Sequence, residues 1–256
     1  MKLHLLILLT VWYASAWAEV LTHSVDYTEG NIVLEGYVAV DTSVQGARPG
    51  VLIVHQWKGL TDYEKSRAQM LAKLGYVALA VDIYGKGIRP KDTKEAGALA
   101  GKYKTDRDLF RARLRAGLNE LLRHENVDPK RIAAIGYCFG GTGVIELART
   151  GADIAAVVSF HGGLDSPKPE DGRNIKAKVL ALHGADDPFV LEKDILAFED
   201  ELRKAKVDWQ LVKFGGAVHS FTEKDAGSMN VMGAAYNEAA DRRSWAYMLQ
   251  LFKEVF

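Results

Sequence analysis

Short, continuous apolar runs alternate along this chain with longer stretches whose apolar positions recur every three or four residues. The runs are VLIVH (51–55), YVALAVD (76–82), RIAAIGY (131–137), IAAVVSF (154–160), KVLALHG (178–184) and WQLVKF (209–214). A strand apolar on both faces belongs inside a covered parallel sheet, since a strand with one wet face would alternate. Helical spacing appears over 63–74, through Met70, Leu71 and Leu74, and Gly75 ends it. It recurs in FRARLRAGLNELLR (110–123), GTGVIELART (141–150), KDILAFEDELRKA (193–205) and NEAADRRSWAYMLQLFKEVF (237–256). Residues 21–40 carry β-branched and aromatic residues broken by Gly30-Asn31, which predicts an edge hairpin. The Gly-, Lys- and Pro-rich stretch from 83 to about 100 predicts a loop. Strands and helices therefore alternate without repeats, low-complexity tracts or an interdomain linker. This is the pattern of an α/β fold: one domain over 19–256, a mostly parallel sheet with helices on both faces. Such a sheet gathers its chemistry beyond the carboxyl ends of its strands.

Composition narrows the function classes. Lys plus Arg and Asp plus Glu each number 33 in 256 residues, so no basic excess points to nucleic acid. Residues 1–18, MKLHLLILLTVWYASAWA, read as a signal peptide: Lys2, a short apolar run, and small residues before the cut after Ala18. The run is short for a bilayer span and has no positive stop-transfer cluster, so no stable membrane anchor is expected after processing. Export to the periplasm or beyond follows. The mature chain would then hold 32 basic and 33 acidic residues. Cys138 is the only cysteine, so an internal disulfide, a CxxC redox pair and a thiolate cluster are all excluded. In an oxidising compartment a single thiol should be either buried or used.

Its setting indicates use. Gly136-Tyr137-Cys138-Phe139-Gly140 has the form G-x-nucleophile-x-G between a buried strand and a helix. The turn is so tight that a Cβ at either glycine would strike neighbouring backbone. It lifts the thiol out of the sheet and puts the Phe139 N–H at a helix start, where it can hold a developing oxyanion. Downstream, LHGADDPFV offers Asp186 and Asp187, and GGAVHSF places His219 after the strand 209–214. Nucleophile, acid and histidine thus occur in the order of the α/β-hydrolases. Asp187, just before PFV, can turn back toward His219, whereas Asp186 reads as a loop cap. His161 follows a strand and is expected in the pocket wall; His183 is expected as a hydrogen-bonded core residue. Trp57, Tyr84, Phe139 and Tyr103 are candidate apolar walls. No compact His/Asp ligand set suggests a metal, and neither a P-loop nor a dinucleotide fingerprint suggests a cofactor.

From about residue 25 onward the chain resembles the dienelactone hydrolases, or carboxymethylenebutenolidases, of the α/β-hydrolase superfamily. The resemblance rests on VLIVHQWKGL, LAKLGYVALAVDIYGKG, IGYCFGG, SFHGG, LHGADDPFV and VHSF. It implies a single-domain α/β-hydrolase with Cys138, Asp187 and His219 as triad, and the amides of Phe139 and Trp57 as oxyanion hole. Two positions depart from the best-studied branch. Gln56 stands where a glutamate helps to generate the thiolate, and an amide cannot take up that proton. Glu223, three residues after Ser220, stands where an arginine binds the substrate carboxylate. Placed in the pocket with Gln56 and Ser220, a Glu223 carboxylate would repel anions, so a neutral or cationic substrate, or a differently shaped pocket, is expected. The resulting expectation is hydrolysis of a small ester or lactone through an acyl-cysteine, without cofactor, by a monomer. A non-catalytic binding protein on the same scaffold is the alternative, supported by Gln56 and opposed by the intact triad.

Overall fold

The computed structural model describes residues 19–229 and 231–256; the leader expected over 1–18 lies outside them. Eight strands form one sheet in the order β1-β2-β4-β3-β5-β6-β7-β8. The hairpin β1 (Val20–Glu29) and β2 (Ile32–Asp41) supplies the antiparallel edge, and β2 pairs antiparallel with β4 (Val77–Val81). From β4 onward every pairing is parallel, through β3 (Arg48–Val54), β5 (Val127–Tyr137), β6 (Ala156–Phe160), β7 (Lys178–Gly184) and β8 (Trp209–Phe214).

The apolar runs are continuous because each strand feeds two cores. Leu52 and Val54 of β3 face one cluster with Phe110, Leu114 and Leu147, while Val51 and Ile53 face another with Leu71, Met248 and Phe252. Successive side chains of a strand point to opposite faces, so covering both faces requires an apolar residue at every position. Helices α1 (Asp62–Ala72) and α6 (Glu238–Val255) cover the second cluster. The first lies under α2 (Thr93–Thr105), α3 (Arg107–Leu122), α4 (Phe139–Arg149) and α5 (Glu192–Ala205).

Helix α2 corrects the loop expected to about residue 100. Gly97 and Gly101 weaken the helical signal, but Asp92 caps the helix by accepting the Glu95 N–H at 2.8 Å. Ala96, Ala100 and Tyr103 then bury one stripe. Packing overrides the glycine penalty, which is only about 1 kcal/mol per residue. Among the described residues no helix is long and apolar enough to cross a membrane.

Candidate active site

Four strand ends deliver the site. Cys138 follows β5, His161 follows β6, Asp187 lies three residues beyond β7, and His219 sits five beyond β8. Cys138 has φ 53° and ψ −114°, a left-handed backbone that a β-carbon disfavours, held by the close packing around it. A Cβ on Gly136 would stand 2.0 Å from the Gly140 carbonyl oxygen, and one on Gly140 2.2 Å from that of Val54. Both glycines of the motif are thus required by main chain that has no rotamer to change. The Cys138 N–H is shared between the Phe160 carbonyl at 3.0 Å and Nδ1 of His161 at 3.1 Å.

That second bond fixes the state of His161. Its Nδ1 accepts, so the proton is on Nε2, which donates to Thr222 Oγ1 at 2.8 Å; that hydroxyl meets Tyr63 Oη at 2.6 Å. Complete burial, with His219 and Arg67 close by, holds the His161 pKa well below the usual histidine value. His161 is a clamp behind the nucleophile and does not line the cavity.

In front of the elbow, Cys138 Sγ lies 3.1 Å from His219 Nε2, and His219 Nδ1 lies 2.7 Å from Asp187 Oδ2. Asp187 Oδ1 accepts the Phe189 N–H at 2.8 Å, which locks the carboxylate plane. Asp186 is exposed and Asp187 buried. Burial opposes a charged His219, but the nearby Cys138 and the hydrogen bonds the ring gives to Asp187 and to the sulfur outweigh it and raise the ring to about 10. His219 is thereby held protonated beside the Cys138 sulfur.

The Phe139 N–H opens α4 and has no carbonyl one turn back to donate to. Its ring stacks on Phe110 at 4.5 Å and packs near Tyr84 and Tyr103. Trp57 lies on the turn after β3, which is tied down at several points. Glu64 Oε1 accepts the Gln56 N–H at 3.1 Å, His55 Nδ1 donates to the Gln56 carbonyl at 2.6 Å, and the Tyr84 hydroxyl donates to the Trp57 carbonyl at 2.8 Å. His55 Nε2 in turn accepts the Ile83 N–H at 3.2 Å, and burial pushes this ring down to about 4, so it stays neutral.

The catalytic cavity holds about 290 Å3 and is lined by Cys138, Phe139, Trp57, His219, Ser220 and Lys104, with apolar Ala100, Phe189, Val190, Val231 and Ala234. The residues expected at the pocket thus separate. Trp57, Phe139 and Ser220 line it; Tyr84 and Tyr103 form a second layer behind Phe139, because their hydroxyls reach backbone carbonyls of Trp57 and Tyr84. Gln56 and Glu223 face a neighbouring cavity instead. The premise of a Glu223 carboxylate facing the substrate therefore fails: burial and the adjacent Glu64 push its carboxyl up to about 7, outside the catalytic chamber. His183 is buried, as expected of a core residue, and its Nδ1 has no hydrogen-bond partner among the described residues.

Sequence reasoning passed over His55, Glu64 and Lys104. Glu64 was visible as the fourth residue of Thr61-x-x-Glu64, a capping box: it accepts from Thr61 N at 2.9 Å and from Thr61 Oγ1 at 2.7 Å. Lys104 lies just past the stretch expected as loop and nothing in its spacing marks it for the pocket; helix α2 carries it there. No cluster of three or more His, Cys, Asp or Glu placed to hold a metal ion occurs among the described residues.

A parallel sheet with a nucleophile elbow after one strand, an acid and a histidine after later ones, defines an α/β-hydrolase, here with cysteine at the elbow. Residues 34–256 match the dienelactone hydrolase family. A metagenomic dienelactone hydrolase-like promiscuous phosphotriesterase is 42% identical, with a TM-score of 0.89 over 94% of this chain and 100% of that one. Protein usf of Aquifex pyrophilus is 26% identical over 235 residues, covering 90% of this chain and 97% of its own. The dienelactone hydrolase of Anabaena variabilis shares the fold, with a TM-score of 0.65 at 22% identity over 90% and 98% of the two chains. The chain belongs to the dienelactone hydrolase family of the α/β-hydrolase superfamily. It is accordingly a hydrolase of small esters or lactones with a cysteine nucleophile.

Proposed function

We propose that Cys138, His219 and Asp187 form the catalytic triad and that the Phe139 and Trp57 amides receive the oxyanion. The observation that carries this reading is the unbroken contact series from Sγ through the imidazole to a buried carboxylate. The Cys138 thiolate attacks the carbonyl carbon, and the negative charge on the oxygen is met by the two amides. His219 gives its proton to the departing alkoxide, leaving an acyl-thioester. Water, deprotonated by His219, then releases the acid and restores the thiol. Asp187 keeps the His219 proton on Nδ1 and stabilises the imidazolium.

The substrate proposed is compact, with a mainly apolar acyl or ring portion lying against Phe189, Val190, Val231 and Ala234. Since Glu223 does not line this cavity, it gives no support for excluding anions. Lys104 is the charged side chain on the wall outside the triad. Replacing it in K104M should raise KM about threefold to tenfold for 4-acetoxybenzoate while moving that for phenyl acetate less than twofold, since a partly exposed charge pair is worth about 1 kcal/mol. Steady-state kinetics on the two esters checks this.

Export, followed by work as a monomer in the periplasm or outside the cell, completes the proposal; it is supported by the leader-like composition of residues 1–18. The similarity to a promiscuous phosphotriesterase supports a secondary attack on neutral aryl phosphotriesters. Both chemistries are tested together. The protein is mixed with 4-nitrophenyl acetate or diethyl 4-nitrophenyl phosphate, acid-quenched and weighed intact, then digested. An acetyl or diethylphosphoryl mass on the Cys138 peptide is expected. Turnover with label on another residue would reject the assignment of Cys138.

A further inference from the structure

Beside the catalytic cavity lies a second one, also about 290 Å3, between the turn after β3, the start of α1 and the segment after His219. Gln56 and Glu223 both line it, and they are 3% and 6% exposed. Each has one buried side-chain oxygen, Oε1, without a hydrogen-bond partner among the described residues. Two residues that line one cavity, each with an acceptor shielded from solvent and orphaned, are difficult to reconcile with a Glu223 carboxylate, which has no hydrogen to offer.

The neighbouring Glu64 indicates where a proton resides. Its carboxylate collects three donors: the N–H groups of Gln56 and Thr61 and the Thr61 hydroxyl. Glu223 is hydrogen-bonded by the Ser220 side chain, while its other oxygen stays orphaned. Of two adjacent buried carboxyls, the one with more donors holds the charge and the other keeps its proton.

We propose that Glu223 is a neutral carboxylic acid that donates to Gln56 Oε1 and acts as a positioning residue for the turn presenting the Trp57 amide. One proton then satisfies both orphaned oxygens. The main chain of this turn is already fixed by Glu64, His55 and Tyr84, so the Gln56 side chain is the remaining loose tie. The proposal rests on the catalytic reading above. It also restores a carboxyl to the neighbourhood of position 56, supplied from another part of the chain.

The surroundings agree. Burial and Glu64 push the Glu223 carboxyl up to about 7, against the opposing effects of His219, Lys58 and the Ser220 hydrogen bond. Facing it are Glu64, Tyr63 and Asp62 from α1, Lys58 from the turn after β3, and His219, Lys224 and Asp225 from its own segment. Arg67 is engaged by the Thr222 carbonyl at 3.1 Å and by Asp241 at 2.8 Å. When Glu223 ionises, the bond to Gln56 is lost and a second negative charge appears beside Glu64.

The test compares wild type, E223Q and E223A. The wild-type kcat for phenyl acetate should fall roughly tenfold as pH rises through about 7, with KM changing much less. E223Q, whose amide can donate at every pH, should lose that limb; E223A should have a lowered kcat without it. Infrared spectra supply a reading independent of turnover: the C=O band of a buried protonated carboxyl, present in wild type near pH 6 and absent from E223Q. An E223Q profile with the wild-type limb overturns the proposal. So does a missing carboxyl band, which would mean that a turned-over Gln56 amide donates to a Glu223 carboxylate. Should the catalytic reading itself fail, turnover would be independent of Cys138 while the infrared band remained.

Discussion

C138A abolishes measurable ester hydrolysis, with kcat down by on the order of 10^4 or more, and leaves the fold intact. The side chain removed is small and half-buried, and the packing of the elbow is dominated by main chain, so little stability depends on the sulfur. C138S separates two accounts of activation. With cysteine, His219 is raised to about 10 despite its burial, by the nearby Cys138 and by Asp187, and so carries a proton before attack. A serine hydroxyl cannot form that pair at neutral pH, so His219 would have to remove its proton during attack. Activity of C138S should therefore fall on the order of 10^3. Stopped-flow alkylation and steady-state kinetics on the three proteins measure this directly. A C138S enzyme as fast as wild type would show that ionisation before attack is unimportant.

G140A disrupts the site through its backbone. Its β-carbon would lie 2.2 Å from the Val54 carbonyl oxygen and 2.7 Å from that of His55, both main-chain atoms at the end of a central strand. Relief requires the elbow and the turn carrying Trp57 to separate, and these are the two sides of the proposed oxyanion hole. The expected loss of stability is about 3 kcal/mol, at the upper end for overpacking. For a protein of this size that lowers Tm by roughly 6–12 °C. Whatever remains folded should show kcat down by about 10^2, because the two amides no longer converge. Thermal denaturation and kinetics on the same preparation test both halves. A variant with normal Tm and kcat would mean that this close approach is not needed.

The strands were legible because burial on both faces leaves an unbroken apolar run, as in IAAVVSF and KVLALHG. The elbow was legible because its glycines are imposed by main-chain contacts, which depend little on the rest of the sequence. Helix α2 was not, since two glycines mask an apolar stripe that only tertiary packing reveals. Cys138, Asp187 and His219 could be picked out from their order along the chain, and the fold brings their side chains together. The pocket could not, because lining is decided by side-chain direction. Glu223 lies four residues after His219 yet faces a different cavity, and Tyr84 and Tyr103 turn their hydroxyls to backbone carbonyls behind Phe139. His55 and Glu64 escaped notice for a related reason: their work is to hold a turn, and such roles depend on partners distant in sequence.

Four wall residues of the catalytic cavity share two connections with Asp187 and His219, while the cysteine stands on a separate, rigid elbow. Phe189, Val190, Val231 and Ala234 belong to two connections outside the sheet, whereas the elbow is clamped by Gly136, Gly140 and His161. Substrate preference can therefore drift by exchange of these four wall residues while the elbow is left untouched, provided Asp187 and His219 keep their places on the same connections. For an engineer, this separates a fixed motor from an interchangeable mould. Libraries confined to the four wall positions should yield altered selectivity at little risk to folding.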